Sequence, residues 1–320
     1  MIAGLPFLAW PGDQQLSILI YHRVLSQPDP LRPGEPDVAS FDWQMRLLAE
    51  HCVVLPLREA VSRLQEGGLP HRACCITFDD GYADNLTVAL PILEKYRLPA
   101  TVFVATGYLD GGRMFNDAVI DAIAAAPGGL LDLADLDLGR HQLSSLEQRR
   151  AAIAVLLEQL KYRSPQQRAA DVERLVETSG CGALPRDIML TSTQVGDLAR
   201  RGIEIGGHTD SHAILTTLVD EQARAEIQAG RERLEALTDK PVTVFAYPNG
   251  RPHRDYEARH AVIVRELGFE LAVSTARGVA NRTTDLYQLP RFTPWDRAPA
   301  KWGLRLLLNA RTGKAMETCQ

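Results

Sequence analysis

Residues 73–82 have the sequence Ala73-Cys-Cys-Ile-Thr-Phe78 followed by Asp79-Asp80-Gly81-Tyr82, and this stretch decides the fold class. The continuous apolar run predicts a strand that is buried on both faces, as strands of parallel sheets are. At the carboxyl end of such a strand the chain can turn at Gly81 and direct two carboxylates into the mouth of the sheet, where α/β folds place ligands and catalysts. Alternatively, Asp79 and Asp80 only cap the next helix, since Asp is common at that position. The segment alone favours neither interpretation.

Short β runs alternate with amphipathic helices on both sides of this segment. Alternation of this kind predicts an α/β fold, with a parallel sheet or barrel and right-handed crossovers. Besides the run at 73–78, we predict strands at 17–22, 52–55, 100–105, 203–205, 242–246 and 270–273. We predict helices at 40–50, 57–65, 83–96, 191–201, 220–237 and 255–267.

The alternation stops between Asn116 and Asp187. The patterns in this stretch predict three helices, at Asp117–Ala126, at Ser145–Lys161 and from Ser164-Pro165 to Thr178. We interpret residues 116–187 as an all-helical insertion within a single domain that covers residues 1–320.

The composition is that of a soluble globular protein that does not bind nucleic acid. The 35 Lys+Arg and 40 Asp+Glu give a formal net charge of −5, whereas phosphate binding usually requires a basic excess. The five cysteines form no C-x-x-C pair, which favours free thiols in a reducing compartment. Residues Met1–Trp10 lack the basic region of a signal peptide, and no run of about 18 apolar residues is present. We therefore expect a cytoplasmic protein.

A second polar motif follows another short strand, in the stretch Gly206-Gly207-His208-Thr209-Asp210-Ser211-His212. On one helical turn the i, i+4 spacing of His208 and His212 puts both imidazoles on the same face, as a divalent metal requires. An isolated pair at this spacing is more often two surface histidines near a helix start. Two histidines together with a carboxylate, however, form a known metal-ligand set with open positions for water and substrate. The two motifs therefore support each other.

These motifs resemble the first two motifs of the polysaccharide deacetylase family, carbohydrate esterase family 4. Phe245-Ala246-Tyr247-Pro248-Asn249-Gly250 resembles the third. The resemblance implies the NodB-like fold, a distorted (β/α) barrel of about seven parallel strands. It also implies that Asp80, His208 and His212 bind the metal. Asp79 would be the general base, and the backbone N–H of Tyr247 would help to hold the oxyanion.

Two departures from the family pattern shape the expected site. The third motif usually carries an arginine that pairs with the catalytic Asp, and Arg291 is our candidate to replace it. The usual late Leu-x-His motif supplies a general-acid histidine, but no histidine follows His260 here. The stretch Ile18–Val24 resembles the first strand of poly-N-acetylglucosamine deacetylases, in which the motifs are circularly rearranged and a Tyr-His provides the acid. We therefore expect His22 to be the acid. The alternatives are a core histidine at 22 and a surface charge at 291.

The resemblance implies a metal-dependent hydrolase that removes N-acetyl groups from an N-acetylated saccharide, either an exopolysaccharide or its precursor. Two His and one Asp suit Zn²⁺, and also Co²⁺, Ni²⁺ or Fe²⁺. The alternatives are an amidohydrolase of a small non-sugar amide and a catalytically silent carbohydrate-binding protein. A lipid-linked substrate would bring peripheral membrane association, and the amphipathic stretch Lys301–Arg311 would either pack on the domain, which we favour, or approach the membrane. The oligomeric state is not predicted.

Overall fold

The apolar run at 73–78 forms strand Ala73–Phe78, and all six of its residues are buried. Its side chains alternate between two cores, because successive residues of a strand point to opposite faces of the sheet. Ala73 and Cys75 pack in one hydrophobic cluster, whereas Cys74, Ile76 and Phe78 pack in the other. The strand is therefore covered on both faces, as the sequence predicted.

The computed structural model describes residues 14–294, 296–311 and 318–319; the segment Met1–Trp10, on which the expectation about a signal peptide rests, lies outside these ranges. The strands are β1 (Ser17–Tyr21), β2 (Val53–Val54), β3 (Ala73–Phe78), β4 (Thr101–Val104), β5 (Leu130–Leu133), β6 (Gly139–Gln142), β7 (Glu204–Gly207), β8 (Val244–Ala246), β9 (Leu271–Arg277) and β10 (Leu289–Arg291). The α-helices are α1 (Val38–His51), α2 (Leu57–Glu66), α3 (Leu90–Tyr96), α4 (Phe115–Ala125), α5 (Leu146–Lys161), α6 (Pro165–Ser179), α7 (Ser192–Arg200), α8 (Asp220–Thr238), α9 (Ala258–Glu266) and α10 (Pro299–Arg311). A π-helical turn, Asn85–Ala89, precedes α3.

The main sheet is parallel, with the order β1-β3-β4-β7-β8-β9-β10, and β2 pairs with the first two residues of β3. The sheet nearly closes, because the N–H of Ile20 donates to Phe292 O at 3.0 Å and the N–H of Phe292 donates to Ile18 O at 2.8 Å. These seven strands and their helices form a distorted (β/α) barrel of the NodB-like type, which confirms the expected fold class. All carboxyl ends of the strands lie on one side of such a sheet.

The chain divides into two compact units. One comprises the described residues within 1–28, 34–110 and 190–320 and contains the barrel; the other comprises residues 29–33 and 111–189. The second unit contains the three expected helices α4, α5 and α6 around its own hydrophobic core. That the whole chain acts as a single domain stays a prediction.

The expectation that residues 116–187 are all-helical is wrong. The antiparallel hairpin of β5 and β6 lies between α4 and α5. Leu131 and Leu133 are buried, while Leu130 and Asp132 are exposed. This period of two is the signature of a half-buried strand. It was missed because it extends over only four residues.

Candidate active site

The two adjacent carboxylates lie where β3 ends. The N–H of Asp79 still donates to Tyr21 O at 2.9 Å, so Asp79 continues the pairing of β3 with β1. Asp80 and Gly81 then both adopt a positive φ, of 75° and 85°. A positive φ is uncommon for a residue other than glycine, and such strained positions are concentrated at functional sites. Because of this turn, the side chains of Asp79 and Asp80 have different neighbours.

Asp80 meets two histidines from the end of β7. Its Oδ1 lies 3.4 Å from His208 Nε2 and 3.2 Å from His212 Nε2. The three residues form the one cluster of potential metal ligands found in the described ranges, and their donor atoms lie within 4.8 Å of one another. The structure thus brings together the three residues that the resemblance assigns to the metal.

The donor set fits a divalent cation. Asp80 Oδ1 is buried and has no hydrogen-bond partner among the described atoms. Burying a carboxylate oxygen in this way is costly unless it binds a cation. Atoms that share one ion at about 2.0–2.1 Å from it lie about 3 Å apart, and Asp80 Oδ1 lies 3.4 Å and 3.2 Å from the two histidine nitrogens. Burial alone would raise the pKa of Asp80, but His212 and His208 hold that pKa well below its usual range.

The other ring nitrogen of His208 fixes its orientation. His208 Nδ1 lies 2.7 Å from the carbonyl oxygen of Ala246, at the end of β8. Because that oxygen can only accept a hydrogen bond, Nδ1 donates to it, which leaves Nε2 as the ring nitrogen that faces Asp80. Metal-binding histidines are commonly oriented by a carbonyl in this way.

The two histidines do not lie on a helical turn, which corrects the geometry expected from their spacing. β7 ends at Gly207, and residues 208–214 form an irregular loop. Thr209 (φ 60°) and His212 (φ 54°) adopt left-handed backbone conformations that fold the loop back. The ring centroids of His208 and His212 are therefore 4.8 Å apart at an interplanar angle of 64°. The i, i+4 spacing correctly predicted that the two imidazoles lie close together, but the prediction that a helical turn holds them was wrong.

Asp79 forms a buried two-point ion pair with Arg291, the last residue of β10. The guanidinium donates to Oδ1 at 2.7 Å and to Oδ2 at 2.6 Å, and the side chain of Arg291 is 0 % exposed. It also donates to Ser274 O at 2.9 Å and to Thr77 Oγ1 at 3.2 Å. Burial would raise the pKa of Asp79, but Arg291 lowers it. The structure therefore places Arg291 where a replacement for the missing arginine would have to be.

His22 is half-buried and directly follows β1, opposite Asp79. Its carbonyl oxygen accepts a hydrogen bond from Asn85 Nδ2 at 2.8 Å. Burial alone would lower the pKa of His22, but the negative charges of Asp80, Glu35 and Asp79 outweigh it and raise that pKa. His22 therefore lies in the field of both site carboxylates, which is not the setting of an ordinary core histidine.

The amide of Tyr247 is not available for the oxyanion role expected of it. Its N–H donates to Val273 O at 3.2 Å, which extends the pairing of β8 with β9. Two residues later, Asn249 has a φ of 58°, and its N–H has no acceptor within the described part of the chain. Its carbonyl oxygen is held by Thr275 Oγ1 at 2.7 Å. Sequence reasoning missed Asn249, although the turn signal Pro248-Asn249-Gly250 was visible.

Comparisons with known proteins agree with these observations. The sequence profile described as "Polysaccharide deacetylase" matches residues 66–135 and 158–272, more than half of the chain. The polysaccharide deacetylase-like protein YxkH of Bacillus subtilis (strain 168) is 23% identical over 279 residues, which cover 87% of this chain and 70% of YxkH. The poly-beta-1,6-N-acetyl-D-glucosamine N-deacetylase of Staphylococcus aureus (strain N315) is 36% identical over 79 residues, only 24% of this chain and 27% of that protein.

Solved structures show the same fold. The deacetylase PplD of Streptococcus pyogenes, solved in complex with acetate, superimposes with a TM-score of 0.60 at 20% identity, covering 92% of this chain and 98% of PplD. IcaB from Ammonifex degensii gives a TM-score of 0.56 at 19% identity, covering 92% of this chain and 98% of IcaB. At these identities the likeness concerns the fold.

Proposed function

Because the chain belongs to the polysaccharide deacetylase family, we propose that it hydrolyses the acetamide of an N-acetylated saccharide with the help of a divalent cation. One observation carries the proposal. The buried Oδ1 of Asp80, which has no hydrogen-bond partner among the described atoms, faces two histidine nitrogens beside the Asp79–Arg291 pair. A carbohydrate-binding protein without catalysis has no need for a second ionised carboxylate next to its metal ligands.

Asp80, His208 and His212 would hold the cation. Two imidazoles and one carboxylate suit Zn²⁺, Co²⁺, Ni²⁺ or Fe²⁺, and we propose Zn²⁺ as the native ion. When bound, the cation polarises the acetamide carbonyl and lowers the pKa of a water molecule.

The residues of the chain move the protons. Arg291 keeps Asp79 ionised, so its carboxylate is ready to take a proton from the attacking water. The new C–O bond forms as the carbonyl oxygen becomes negative. His22, protonated in the field of the site carboxylates, donates its proton to the sugar nitrogen as the C–N bond breaks. The products are acetate and a free amino sugar.

We propose Asn249, instead of Tyr247, as the backbone donor to the oxyanion. An N–H that is free of internal acceptors and held in a fixed turn stabilises developing negative charge without reorganisation. Asn249 follows β8, the strand whose Ala246 carbonyl orients His208, so both groups emerge from the same strand end.

Acetate release from N-acetylglucosamine oligomers tests this proposal. The protein is stripped with a chelator and then loaded with Zn²⁺, Co²⁺, Ni²⁺ or Fe²⁺, with Asp79→Asn as the control that keeps the metal ligands. We expect release only from the loaded protein and almost none from Asp79→Asn. Activity on small non-sugar amides alone would replace this function by the second candidate, and metal binding without any hydrolysis would favour a silent binding protein.

We propose an exopolysaccharide or its lipid-linked precursor as substrate, and contact with an anionic lipid surface through α10. The exposed positions of this helix are Lys301, Leu304, Leu308 and Arg311, at helical spacing, while Trp302 faces the core. Residues 297–316 contain five basic residues and no acidic one, in a chain of net charge −5. Basic side chains beside apolar ones favour anionic lipid surfaces. No helix within the described ranges is long and apolar enough to cross a bilayer.

Sedimentation with vesicles tests this contact. Leu304→Ser together with Leu308→Ser should abolish binding to phosphatidylcholine vesicles that contain phosphatidylglycerol. The control Val262→Ser changes an equally exposed valine on α9 and should leave binding intact. Equal binding to pure phosphatidylcholine, or none by the unaltered protein, would contradict the proposal.

The five free cysteines support a reducing, cytoplasmic compartment, which stays part of this proposal.

A further inference from the structure

We propose that Glu226, on α8, is a positioning residue that holds the metal-ligand loop His208–His212 in its binding conformation. The inference rests on the proposed function, because it concerns the affinity of the same site for its cation. Nothing in the sequence pattern of the three motifs points to this residue, which lies 14 positions after His212.

The loop needs an external support because its own backbone disfavours this shape. Thr209 and His212 both have a left-handed φ, of 60° and 54°, and Thr209 is β-branched. β-Branched residues rarely adopt this conformation, and it persists only where the surrounding structure imposes it. Without contacts from outside, the loop would relax and separate His212 from Asp80.

Glu226 supplies the support at the residue directly before His212. Its Oε2 accepts the backbone N–H of Ser211 at 2.8 Å, and its Oε1 accepts the Ser211 hydroxyl at 2.8 Å. The carbonyl oxygen of Glu226 accepts the N–H of Asp210 at 3.0 Å. One residue therefore makes three hydrogen bonds to two consecutive loop residues, and two of them involve a carboxylate, which strengthens them.

The same face of α8 makes room for the loop. Gly230 lies four positions after Glu226, so the two residues face the same side of the helix. A Cβ added at Gly230 would lie 2.7 Å from Thr209 O, closer than any real side chain allows. The backbone of α8 at Gly230 thus packs directly against Thr209, and the carboxylate of Glu226, one turn earlier, binds Ser211.

The opposite side of the loop is held by residues 106–108. Thr106 Oγ1 donates to Asp210 Oδ1 at 2.6 Å, the N–H of Gly107 donates to Asp210 O at 2.8 Å, and Tyr108 Oη donates to Ser211 O at 3.0 Å. These bonds restrain Asp210 and the carbonyl of Ser211, but none of them fixes the Ser211 amide. Removing Glu226 therefore leaves the residue next to the second histidine without its main anchor.

Metal affinity measured by calorimetry on the full chain tests the inference. Groups that orient metal ligands typically contribute about 10- to 100-fold in affinity, so Glu226→Ala should raise the Kd for Zn²⁺ by about that factor. The control Glu232→Ala removes the same charge from the same helix at an exposed position whose carboxylate accepts from Gln228 instead of the loop. Its Kd should equal that of the unaltered protein.

A second variant separates positioning from simple destabilisation. Ser211→Ala removes the hydroxyl partner but leaves the amide bond to Glu226, so its Kd should rise less than that of Glu226→Ala. Because the two residues act through one contact, the double variant should have the same Kd for Zn²⁺ as Glu226→Ala alone. Glu226→Gln, which retains an acceptor for the amide, should restore part of the affinity.

The outcomes are distinguishable from those that test the function itself. An unaltered protein that binds no divalent ion would defeat the proposed function. A protein that binds Zn²⁺ with the same Kd in Glu226→Ala as in Glu232→Ala would overturn the role of Glu226 alone. So would a loss of affinity that merely follows a loss of folded protein, as measured by circular dichroism of the metal-free variants.

Discussion

The two ends of strand β7 carry acidic or metal-ligating groups in very different settings. At its start, Glu204 accepts a hydrogen bond from the hydroxyl of Thr101, at 2.8 Å, and burial raises the pKa of this carboxyl. Directly after its end, His208 faces Asp80, whose pKa is held well below its usual range by the two histidines. A half-buried carboxylate beside a neutral hydroxyl is a packing feature, whereas a buried carboxylate beside two histidine nitrogens has the surroundings of a metal ligand.

The size of a cavity does not make this distinction. A cavity of about 410 Å³ opens at the amino end of the sheet, lined among others by Glu204, Lys240 and Glu270. Its charged groups are already engaged: Arg58 holds Glu270 at 2.8 Å, and Lys240 donates to a backbone carbonyl. Among the described residues that line this cavity there is no histidine, and its two carboxylates, Glu204 and Glu270, both have partners. We therefore expect the chemistry at the carboxyl end of the sheet, where α/β barrels generally place their active sites.

The largest expected effect comes from comparing Asp80, which faces the histidines that follow β7, with Glu204 at the start of β7. Asp80→Ala removes a ligand, and we expect both Zn²⁺ affinity and acetate release to fall by more than about 100-fold, since residues that only orient ligands already contribute up to that much. Glu204→Gln should change neither quantity. Calorimetry and acetate release measure both. If Glu204→Gln lowered the Zn²⁺ affinity as much as Asp80→Ala does, the contrast between the two ends of β7 would be lost.

The second effect concerns the ion pair at the carboxyl end. Arg291→Met leaves Asp79 buried without its partner, and breaking such a pair by removing one member typically costs about 3–5 kcal/mol in the free energy of unfolding. Urea denaturation measures this cost. Adding Asp79→Asn to Arg291→Met should recover much of the stability but none of the activity, because the base is then absent. Recovery of activity in the double variant would contradict the role of Asp79.

A third effect separates His22 from the metal ligands. His22→Gln should lower kcat by about 10²–10⁴-fold, the usual contribution of a general acid, without changing the Kd for Zn²⁺. His260→Gln is the control, since His260 is a buried histidine at the start of α9, where its ring accepts the Glu257 amide at 2.9 Å. Its turnover should be normal. A loss of metal in His22→Gln would make His22 a ligand instead of an acid.

Sequence reasoning found the parts of the site that are encoded locally. The apolar run at 73–78 predicted the buried strand, and the carboxylates directly after it were expected at its carboxyl end once the second motif supported that interpretation. The family resemblance, together with the histidine spacing, predicted His208 and His212 as ligands, and the search for a replacement arginine led to Arg291. That arginine lies 212 residues from Asp79 in the chain, so only the nearly closed barrel brings them together.

The parts that were missed depend on backbone conformation or on distant contacts. Whether the amide of Tyr247 or that of Asn249 is free depends on where the pairing of β8 and β9 ends, and residue types do not determine that. The left-handed residues Thr209 and His212 replaced the expected helical turn for the same reason. Glu226 has no local signal at all, because its partner Ser211 lies on another element.

The smallest expected effect is a pH dependence at the amino end of β7. Burial raises the pKa of Glu204 in the folded protein above the value it has in the unfolded chain. As the pH rises from below the unfolded pKa, the unfolded chain loses this proton first, so the stability contributed by the protonated carboxyl is lost as the pH rises through the folded pKa. Glu204→Gln keeps a neutral acceptor for Thr101, so urea denaturation at neutral pH should show it more stable than the unaltered protein by up to about 1 kcal/mol, the scale of one hydrogen bond. At pH 4 the two should be nearly equal. A variant that is less stable at neutral pH would mean that Glu204 is held as a charge by Arg58, and the two ends of β7 would then differ less than their partners indicate.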